Sequence, residues 1–553
     1  MQKYVLFLLI FILTLSGCSG NSEKDKQLSK EKQPDTAIKE TSKETKKPKE
    51  TFGEPQVIDY NLGAREIVQA SGWKVPYTVK GTMGVPTGSG KRPIVILLHG
   101  NHPIKKYDTD RYDQGFTYLV KDLARQGYLA VSMDINAQYV WEHGEPIEHE
   151  RLLSIFDTQF ALLTKAIKGE DAGFKIPLQG RGDLQHISFI GHSRGAQGTH
   201  ALANRLKEKG IGTDGLLMAA PMELFVMGSL PDVPLGILLP QYDGDVTGLL
   251  GHRIFDREAL LPERKNPISV AYMYGANHNF FNSKMHEKDD GIGPSKINDN
   301  LQKRLTVEEQ QTFLSRYAVD FLNAIYDPDA KKNFYAVKGS AETTGQMYGH
   351  PVMSSLYMPG TQYILHPIKE GKVPLEGKVT SSEGVEFKQV TESYIQKNDE
   401  AGPFLHPGDQ EKMNLLSVRW TQRGGELTIE VPENLAPKNE GNFTVYMAAD
   451  PSDKLNEPDT PPAFSIVLQD QNDRSAVYKM NADTPAVRLQ PGKLIKDDYA
   501  AYWSTYTPLS TLRIPLDAFD REKKFGEIRR VTLKFDQTDS GALMIGNLGF
   551  TKE

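Results

Sequence analysis

Cysteine is almost absent from this chain: Cys18 is the only one among 553 residues. No disulfide can therefore form within one chain. Metal sites built from cysteine and catalysis by a thiol are excluded for the same reason. The single cysteine also lies close to the N-terminus, in a segment with a composition of its own.

The sequence also lacks a strong charge of either sign and any internal repeat. Its formal net charge is −6, with 39% hydrophobic and 25% charged residues, which is the composition of an ordinary globular protein. Nothing in this balance indicates a nucleic-acid partner. Glycine and proline occur without the period of collagen or of a repeat array.

The apolar run near the N-terminus is too short to span a bilayer. Lys3 precedes an apolar run over 4–15, and Leu15-Ser16-Gly17-Cys18 follows. Residues 1–18 are therefore interpreted as a signal peptide. The last four residues resemble the lipobox of bacterial lipoproteins, in which the cysteine is lipidated and becomes the mature N-terminus; a plain secretion signal is the alternative. The resemblance implies an extracytoplasmic protein anchored to the bacterial cell membrane through Cys18.

Residues 19–52 have almost no aromatic or branched apolar side chains and are rich in lysine, glutamate, serine and threonine. Such a segment cannot bury enough apolar surface to fold. It is predicted to be a disordered, charged tether between the anchor and a folded domain.

Apolar and helical patterns alternate along the next part of the chain. Apolar runs predict strands at 93–98, 128–134, 187–190, 216–220, 235–240 and 268–274, and helical spacing predicts helices at 116–123, 152–163 and 306–322. Strands buried on both faces that alternate with helices indicate an α/β fold with a doubly wound, mostly parallel sheet. The alternating residues at 75–83 predict an outer antiparallel pair.

Gly191-His192-Ser193-Arg194-Gly195 directly follows the strand predicted at 187–190. Two flanking glycines let the backbone bend sharply enough to hold a serine in a strained conformation, with its hydroxyl exposed. The motif is therefore interpreted as a nucleophile elbow with Ser193 as the nucleophile.

Candidate partners for this serine follow two later strands, in the order serine, acid, histidine. Asp243 and Asp245 come after the strand at 235–240, and His278 comes after the strand at 268–274. A neutral imidazole can take the serine proton, and a carboxylate can hold that imidazole in the right tautomer. Asp243 is favoured over Asp245 as the acid, with Glu223 as a more distant alternative.

Backbone amides of Arg194 and of Asn101, which follows His99-Gly100, are predicted to form an oxyanion hole. The strand at 93–98, the elbow and the two later loops together resemble the α/β-hydrolase superfamily, in particular serine esterases with a dienelactone-hydrolase or polyester-hydrolase type of core. The resemblance covers about residues 55–328 and implies a hydrolase domain at 53–330. It implies cleavage of carboxylic esters through an acyl-enzyme, with no metal or organic cofactor. A triad peptidase or acyltransferase, and a non-catalytic surface lipoprotein that binds glycans, are the alternatives.

Other histidines near these motifs have simpler interpretations. His99 and His192 are expected to shape the pocket without transferring protons. A metal site formed by His102, His143 and His149 with Glu142, Glu145 and Glu148 is the less favoured interpretation, because these residues lie in polar loops without a spacing that would make them converge. The short spacing from Ser193 to His278 predicts an open cleft, covered at most by 138–150 or 282–300.

From about residue 334 the pattern changes to short alternating runs separated by turn residues. Runs at 415–421, 426–431, 443–448, 463–469, 511–514, 530–535 and 543–550 predict an all-β sandwich over 331–553. The C-terminal runs resemble galactose-binding or carbohydrate-binding jelly rolls, which implies a glycan as a partner. Trp420, Tyr502, Trp503 and Tyr506 could offer stacking rings, although each is more often a core residue. The place of residues 331–412 stays open.

Overall fold

The computed structural model describes residues 52–102, 104, 106–147, 149–222, 230–246, 250–259, 261, 264–285, 304–335, 345–370, 375–393, 412–435, 441–457, 460–480, 484–488, 507–521 and 525–551. All of them belong to one compact unit, Thr51–Glu553. The predicted signal peptide, Cys18 and the predicted tether, apart from Phe52, lie outside these residues. None of the helices in the described ranges is both long and apolar enough to cross a membrane.

A ten-stranded mixed sheet carries the N-terminal part of the fold. Its strands are β1 (Gln56–Val68), β2 (Lys74–Val85), β3 (Arg92–Leu98), β4 (Leu129–Met133), β5 (Gly182–His192), β6 (Gly215–Ala219), β7 (Leu235–Tyr242), β8 (Ile268–Asn277), β9 (Gln346–Met347) and β10 (His350–Tyr357). Their order in the sheet is β1-β2-β4-β3-β5-β6-β7-β8-β10-β9. The six strands from β4 to β8 in this order are parallel. The predicted mostly parallel sheet is thus present, with antiparallel strands at both edges.

Seven helices are described. They are α1 (Thr117–Arg125), α2 (Glu150–Lys168), α3 (Arg194–Glu208), α4 (Leu250–Ala259), α5 (Val307–Tyr326), α6 (Pro328–Tyr335) and α7 (Pro367–Glu370). The helix predicted at 306–322 is present as α5, and it begins with a capping box: the hydroxyl of Thr306 accepts a hydrogen bond from the Glu309 amide, and the Glu309 carboxylate accepts one from the Thr306 amide.

Helices cover both faces of the mixed sheet, which explains why its central strands are apolar throughout. In β3, Ile94 packs in one hydrophobic cluster with Phe156 of α2, whereas the next residue, Val95, packs in another with Phe313 of α5. Successive residues of a strand point to opposite faces, so both faces of β3 are buried. Polar side chains are therefore expected mainly in the loops at the strand ends, and the carboxyl ends of the parallel strands lie side by side at one edge of the sheet.

Two antiparallel sheets form the C-terminal region. Their strands are β11 (Gln362–Leu365), β12 (Val379–Ser381), β13 (Val385–Ser393), β14 (Lys412–Trp420), β15 (Gly425–Glu430), β16 (Asn442–Ala449), β17 (Ser465–Asp470), β18 (Ser475–Lys479), β19 (Ser510–Pro515), β20 (Asp520–Arg521), β21 (Ile528–Phe535) and β22 (Gly541–Thr551). One sheet has the order β13-β14-β22-β16-β19, with β11 on β22, and the other has the order β12-β15-β21-β17-β18-β20.

The two sheets share one apolar core, as an all-β sandwich requires. Trp420 of β14 stacks on Phe535 of β21, with ring centroids 4.2 Å apart, so this pair joins the two sheets. Trp420 is fully buried, which rules it out as an exposed ring for a sugar. Tyr502, Trp503 and Tyr506, the other three candidates, lie outside the described residues.

Residues 331–412, whose place the sequence left open, contribute strands both to the mixed sheet and to the sandwich. β10 pairs with β8 and so extends the mixed sheet, whereas β11 pairs with β22 in the sandwich. Side chains also connect the regions: Tyr446 of β16 donates a 2.5 Å hydrogen bond to Asp256 of α4, and both residues are buried.

Candidate active site

Ser193 occupies a sharp turn between β5 and α3. Its backbone has φ 56° and ψ −127°, and its amide donates a 3.0 Å hydrogen bond to the carbonyl oxygen of Ala219 at the end of β6. Positive φ is uncommon for residues other than glycine and persists only where the surroundings enforce it. This strain occurs on the serine that the sequence singles out, in the strand–turn–helix context that a nucleophile elbow requires.

The glycines on either side of Ser193 are required by close packing of the backbone. A Cβ atom on Gly191 would lie 2.4 Å from the carbonyl oxygen of Gly195. A Cβ atom on Gly195 would lie 2.4 Å from the carbonyl oxygen of Leu98, at the end of β3. A side chain at position 191 would therefore push the start of α3 away, and one at position 195 would push the turn away from β3.

His278, which directly follows β8, lies beside this turn. Its carbonyl oxygen accepts a 2.9 Å hydrogen bond from Nε2 of His192, and the two rings are 4.8 Å apart between centroids. His192 immediately precedes Ser193, so the pair connects the end of β8 to the elbow. The His278 side chain is only 1% exposed, and a buried imidazole of this kind is oriented by its neighbours.

Both aspartates that the sequence proposes as the acid contact the ring of His278. Oδ1 of Asp243 lies 3.0 Å from Nδ1, and Oδ2 of Asp245 lies 3.4 Å from Nε2. The two carboxylates differ in burial, since the side chain of Asp243 is 3% exposed and that of Asp245 is 58% exposed. Glu223, the third candidate, lies outside the described residues.

Asp243 is fixed by its own loop. Its Oδ1 accepts hydrogen bonds from the backbone amides of Asp245, at 3.1 Å, and Val246, at 2.6 Å. This turn, closed by a side-chain carboxylate, holds Asp243 where β7 ends and leaves the Asp245 side chain facing solvent. Of the two candidate carboxylates, that of Asp243 is the one held in place by hydrogen bonds.

His99 holds the loop that follows β3 in place. Its Nδ1 donates to the carbonyl oxygen of Gly100 at 2.8 Å, and its Nε2 accepts from the amide of Ile135 at 3.1 Å. These two bonds require the neutral ring, and burial lowers the pKa of His99 to about 4. Gly100 lies against the elbow, since a Cβ atom on it would be 2.6 Å from Cβ of Ser193.

Asn101 and Arg194, the predicted oxyanion-hole residues, line one cavity of about 150 Å³. Asn101 also lines an adjacent cavity of about 340 Å³, together with His102 and Tyr107. Tyr139 and Trp141 line both cavities, so the two meet beside Asn101. The structure thus gathers at one cleft residues from the loops after β3 and β4 and from the start of α3.

His102 is a residue of this cleft that the sequence pointed to only as a metal ligand. Its ring stacks on that of His192 at 5.6 Å, and its Nε2 has no hydrogen-bond partner among the described residues although the side chain is buried. Burial, followed by the neighbouring His192, His99 and His278, holds the pKa of His102 well below its usual value. It is therefore a neutral ring whose free nitrogen could serve a bound ligand.

The alternative metal site is not assembled by the residues that the structure describes. His143 Nε2 lies 2.9 Å from the hydroxyl of Tyr107, and no group of three or more histidine, aspartate or glutamate side chains in the described ranges is placed to hold a metal ion. Glu148 lies outside those ranges.

Comparison of the sequence with protein-family models gives no match, and comparison with curated proteins gives no significant match.

Proposed function

We propose that the chain is a serine hydrolase that cleaves carboxylic esters, with Ser193 as nucleophile, His278 as general base and Asp243 as the acid. The observation that carries this proposal is the strained serine beside a buried histidine whose Nδ1 lies 3.0 Å from a fixed carboxylate. The order serine, acid, histidine at the ends of the parallel strands β5, β7 and β8 also supports an α/β-hydrolase fold.

In this mechanism the hydroxyl of Ser193 attacks the ester carbonyl while Nε2 of His278 takes its proton. Asp243 holds the ring through Nδ1 and stabilises the imidazolium that forms. The alkoxide leaving group takes that proton and departs as the alcohol, which leaves the acyl group on Ser193. Water activated by the same histidine then releases the carboxylic acid.

The backbone amides of Arg194 and Asn101 are proposed to stabilise the oxyanion of the tetrahedral intermediate. Their residues line the same cavity. One such donor contributes about 3 kcal/mol in acyl-transfer enzymes. His99 supports this arrangement by fixing the carbonyl group of Gly100 and with it the direction of the next amide.

Asp245 does not act as the acid in this proposal. It lies at Nε2 of His278, the nitrogen that has to face Ser193, and its side chain is exposed. We expect it to turn into solvent when a substrate enters, because the histidine cannot serve the serine and this carboxylate at once.

Hydrolysis of a panel of p-nitrophenyl esters of graded chain length, with an acetylated glycan and a polyester alongside, tests the proposal. Ser193→Ala is expected to lower kcat/KM by at least about 10⁴-fold. Ser188→Ala is the matched control, since Ser188 is a buried serine of β5, the strand that leads into the elbow, and its hydroxyl lies 3.4 Å from that of Tyr326. Equal activity of the wild type and Ser193→Ala would refute Ser193 as the nucleophile, and a folded wild type that hydrolyses none of the esters would favour a binding protein.

Lipidation of Cys18, the extracytoplasmic location and a glycan ligand of the sandwich stay predictions from the sequence. They do not enter the catalytic proposal.

A further inference from the structure

The large hydrophobic side chains that stand exposed in the described ranges are gathered in one place. They are Val68, at 62% exposure, Trp73, at 52%, Trp141, at 68%, and Ile147, at 46%. Val68 and Trp73 flank the turn between β1 and β2, and Trp141 and Ile147 lie in the loop between β4 and α2. We call these four residues the hydrophobic rim. Exposed apolar side chains scattered singly need no explanation, but a contiguous group beside a cleft does.

The two halves of the rim are in contact. The indole of Trp73 packs against Gly144, where an added Cβ atom would lie 2.3 Å from the ring. Beside this contact, Nε2 of Gln69 lies 3.4 Å from the carbonyl oxygen of Glu145. The turn between β1 and β2 therefore rests on the loop that carries Trp141 and Ile147.

The rim continues into the candidate active site. Trp141 lines both cavities of the cleft, and Ile147 lines the smaller one together with Arg194 and Asn101. Arg194 directly follows Ser193, so a ligand in the smaller cavity lies next to the elbow and against Trp141 and Ile147. This continuity favours a part of the substrate as the group that covers the rim.

A buried arginine holds the loop that carries Trp141. Arg151 of α2 is fully buried and donates hydrogen bonds to the carbonyl oxygens of Val140, at 2.5 Å, and Gly144, at 2.9 Å, and to Oε1 of Gln69, at 2.9 Å. One side chain thus ties the Trp141 loop to the β1–β2 turn. The rim is fixed before any ligand binds, which lowers the entropic cost of binding.

We propose that the hydrophobic rim binds the acyl chain of the substrate, so that the preferred substrates are esters of medium-length or long apolar acids. The smaller cavity, at about 150 Å³, holds about five water-sized volumes and is filled by a short acyl group. A longer chain would extend beyond it along Trp141 and Ile147, toward the β1–β2 turn that carries Trp73 and Val68. This inference rests on the proposed ester hydrolysis and names its substrate class.

The test compares p-nitrophenyl acetate with p-nitrophenyl decanoate on the full chain. Trp141→Ala is expected to lower kcat/KM for the decanoate by about 30-fold and for the acetate by no more than about threefold, a tenfold change in the ratio, because only the longer acyl chain packs on the rim. Ile147→Ser should shift the ratio in the same direction by a smaller factor. Ile211→Ala is the control, since this residue precedes β6 at the opposite end of the parallel strands and should leave the ratio unchanged.

The outcomes separate this inference from the proposed function. Acetate hydrolysis that depends on Ser193, with a decanoate-to-acetate ratio that neither variant changes, would overturn the rim proposal and leave the esterase intact. Hydrolysis of neither ester would refute the proposed function itself. Loss of binding to phosphatidylglycerol vesicles in Trp141→Ala, with an unchanged ratio, would show that the rim binds a lipid surface and would also overturn the proposal.

Discussion

His102 at the carboxyl end of the mixed sheet and Asp470 in the β-sandwich are both buried polar residues, but their surroundings use them differently. At the sheet, Ser193 and Ala220 hold positive φ angles of 56° and 45° directly after β5 and β6, and the buried Nε2 of His102 has no hydrogen-bond partner among the described residues. Strain and unused polar atoms at one edge of a sheet cost stability. They persist there because the surrounding strands are packed on both faces.

Asp470, a buried carboxylate of the sandwich, has all of its hydrogen-bonding capacity used. Burial acts to raise the pKa of Asp470, but hydrogen bonds from the amides of Gly526, Arg474 and Asn472 and from the Arg474 side chain lower it to about 2. The positive φ of the neighbouring Asp473, 58°, belongs to the turn between β17 and β18. Every lone pair of Asp470 is used for structure, which is typical of a group that stabilises a fold and reacts with nothing.

The comparison teaches that the proposed active site lies where the fold imposes on a serine a backbone conformation that serine rarely adopts. Removing a group at the sheet edge should therefore change activity, whereas removing a group from the sandwich core should change stability.

The largest expected effect is that of Asp243→Asn. An amide at this position donates toward Nδ1 of His278 and favours the wrong tautomer, so kcat/KM should fall by about 10⁴-fold while the protein stays folded. Asp245→Asn, the matched control, should keep most of the activity because its side chain is exposed and its place is at Nε2. The reverse ranking in ester-hydrolysis rates would overturn the assignment of the acid.

Trp420→Ala should lower stability and leave activity unchanged, in contrast to Asp243→Asn. It removes a fully buried ring that stacks on Phe535 across the sandwich, and truncation of a large aromatic residue in a core costs about 3–5 kcal/mol in the free energy of unfolding. Urea unfolding measures this loss, and kcat per folded molecule should be unchanged.

The control for this prediction is Trp141→Ala, which removes the same side chain from a position that is 68% exposed. Its free energy of unfolding should change by less than about 1 kcal/mol. Equal losses for the two tryptophans would contradict the contrast between a stabilising core and a functional edge.

A smaller effect is expected from pH. The pKa of His99 is lowered to about 4 in the folded protein, so this residue contributes stability that is present above pH 6.5 and is lost as the pH falls toward 4. His99→Gln can keep both hydrogen bonds but cannot titrate. Between pH 7.5 and pH 5 the free energy of unfolding should therefore fall by roughly 1–2 kcal/mol more in the wild type than in His99→Gln.

His186→Gln is the control, because that side chain is 51% exposed. Burial also raises the pKa of Asp134 to about 7. This residue changes the free energy of unfolding in the direction opposite to His99, since its contribution to stability is lost as the pH rises toward 7. Comparing variants at each pH cancels the contribution of Asp134. Identical pH profiles for the wild type and His99→Gln would contradict the neutral, structural role of His99.

The sequence predicted those helices and strands whose own residue pattern shows which faces are buried. The parallel strands β3, β6 and β7 are continuous apolar runs because both of their faces are covered. The start of α5 is marked in the sequence by Thr306 and Glu309, which form its capping box. The elbow was also readable, because only glycines permit the close approach of backbone at Gly191 and Gly195.

Elements whose burial depends on distant partners could not be predicted. His252 and Asp256 make α4 look like an exposed segment, yet both are buried because Tyr446 and Ser355 from the C-terminal part of the chain contact them. The edge strand β10 likewise gains its place only through pairing with β8.

Within the candidate site, the order of the three groups was readable and their contacts were not. Asp243 and Asp245 both reach His278 because the turn after β7 is closed by Asp243 itself, and a local pattern cannot say which nitrogen each carboxylate meets. Trp141 gave no signal in the sequence, because its exposure follows from the loop that Arg151 holds.

The most direct test of the central claim is labelling with a fluorophosphonate probe, which reacts only with an activated serine. The wild type should form a covalent adduct on the peptide that contains Ser193, Ser188→Ala should be labelled equally, and Ser193→Ala should not be labelled. A folded wild-type protein that takes up no label, or a Ser193→Ala variant that is labelled as fast as the wild type, would contradict the assignment of Ser193 as the nucleophile.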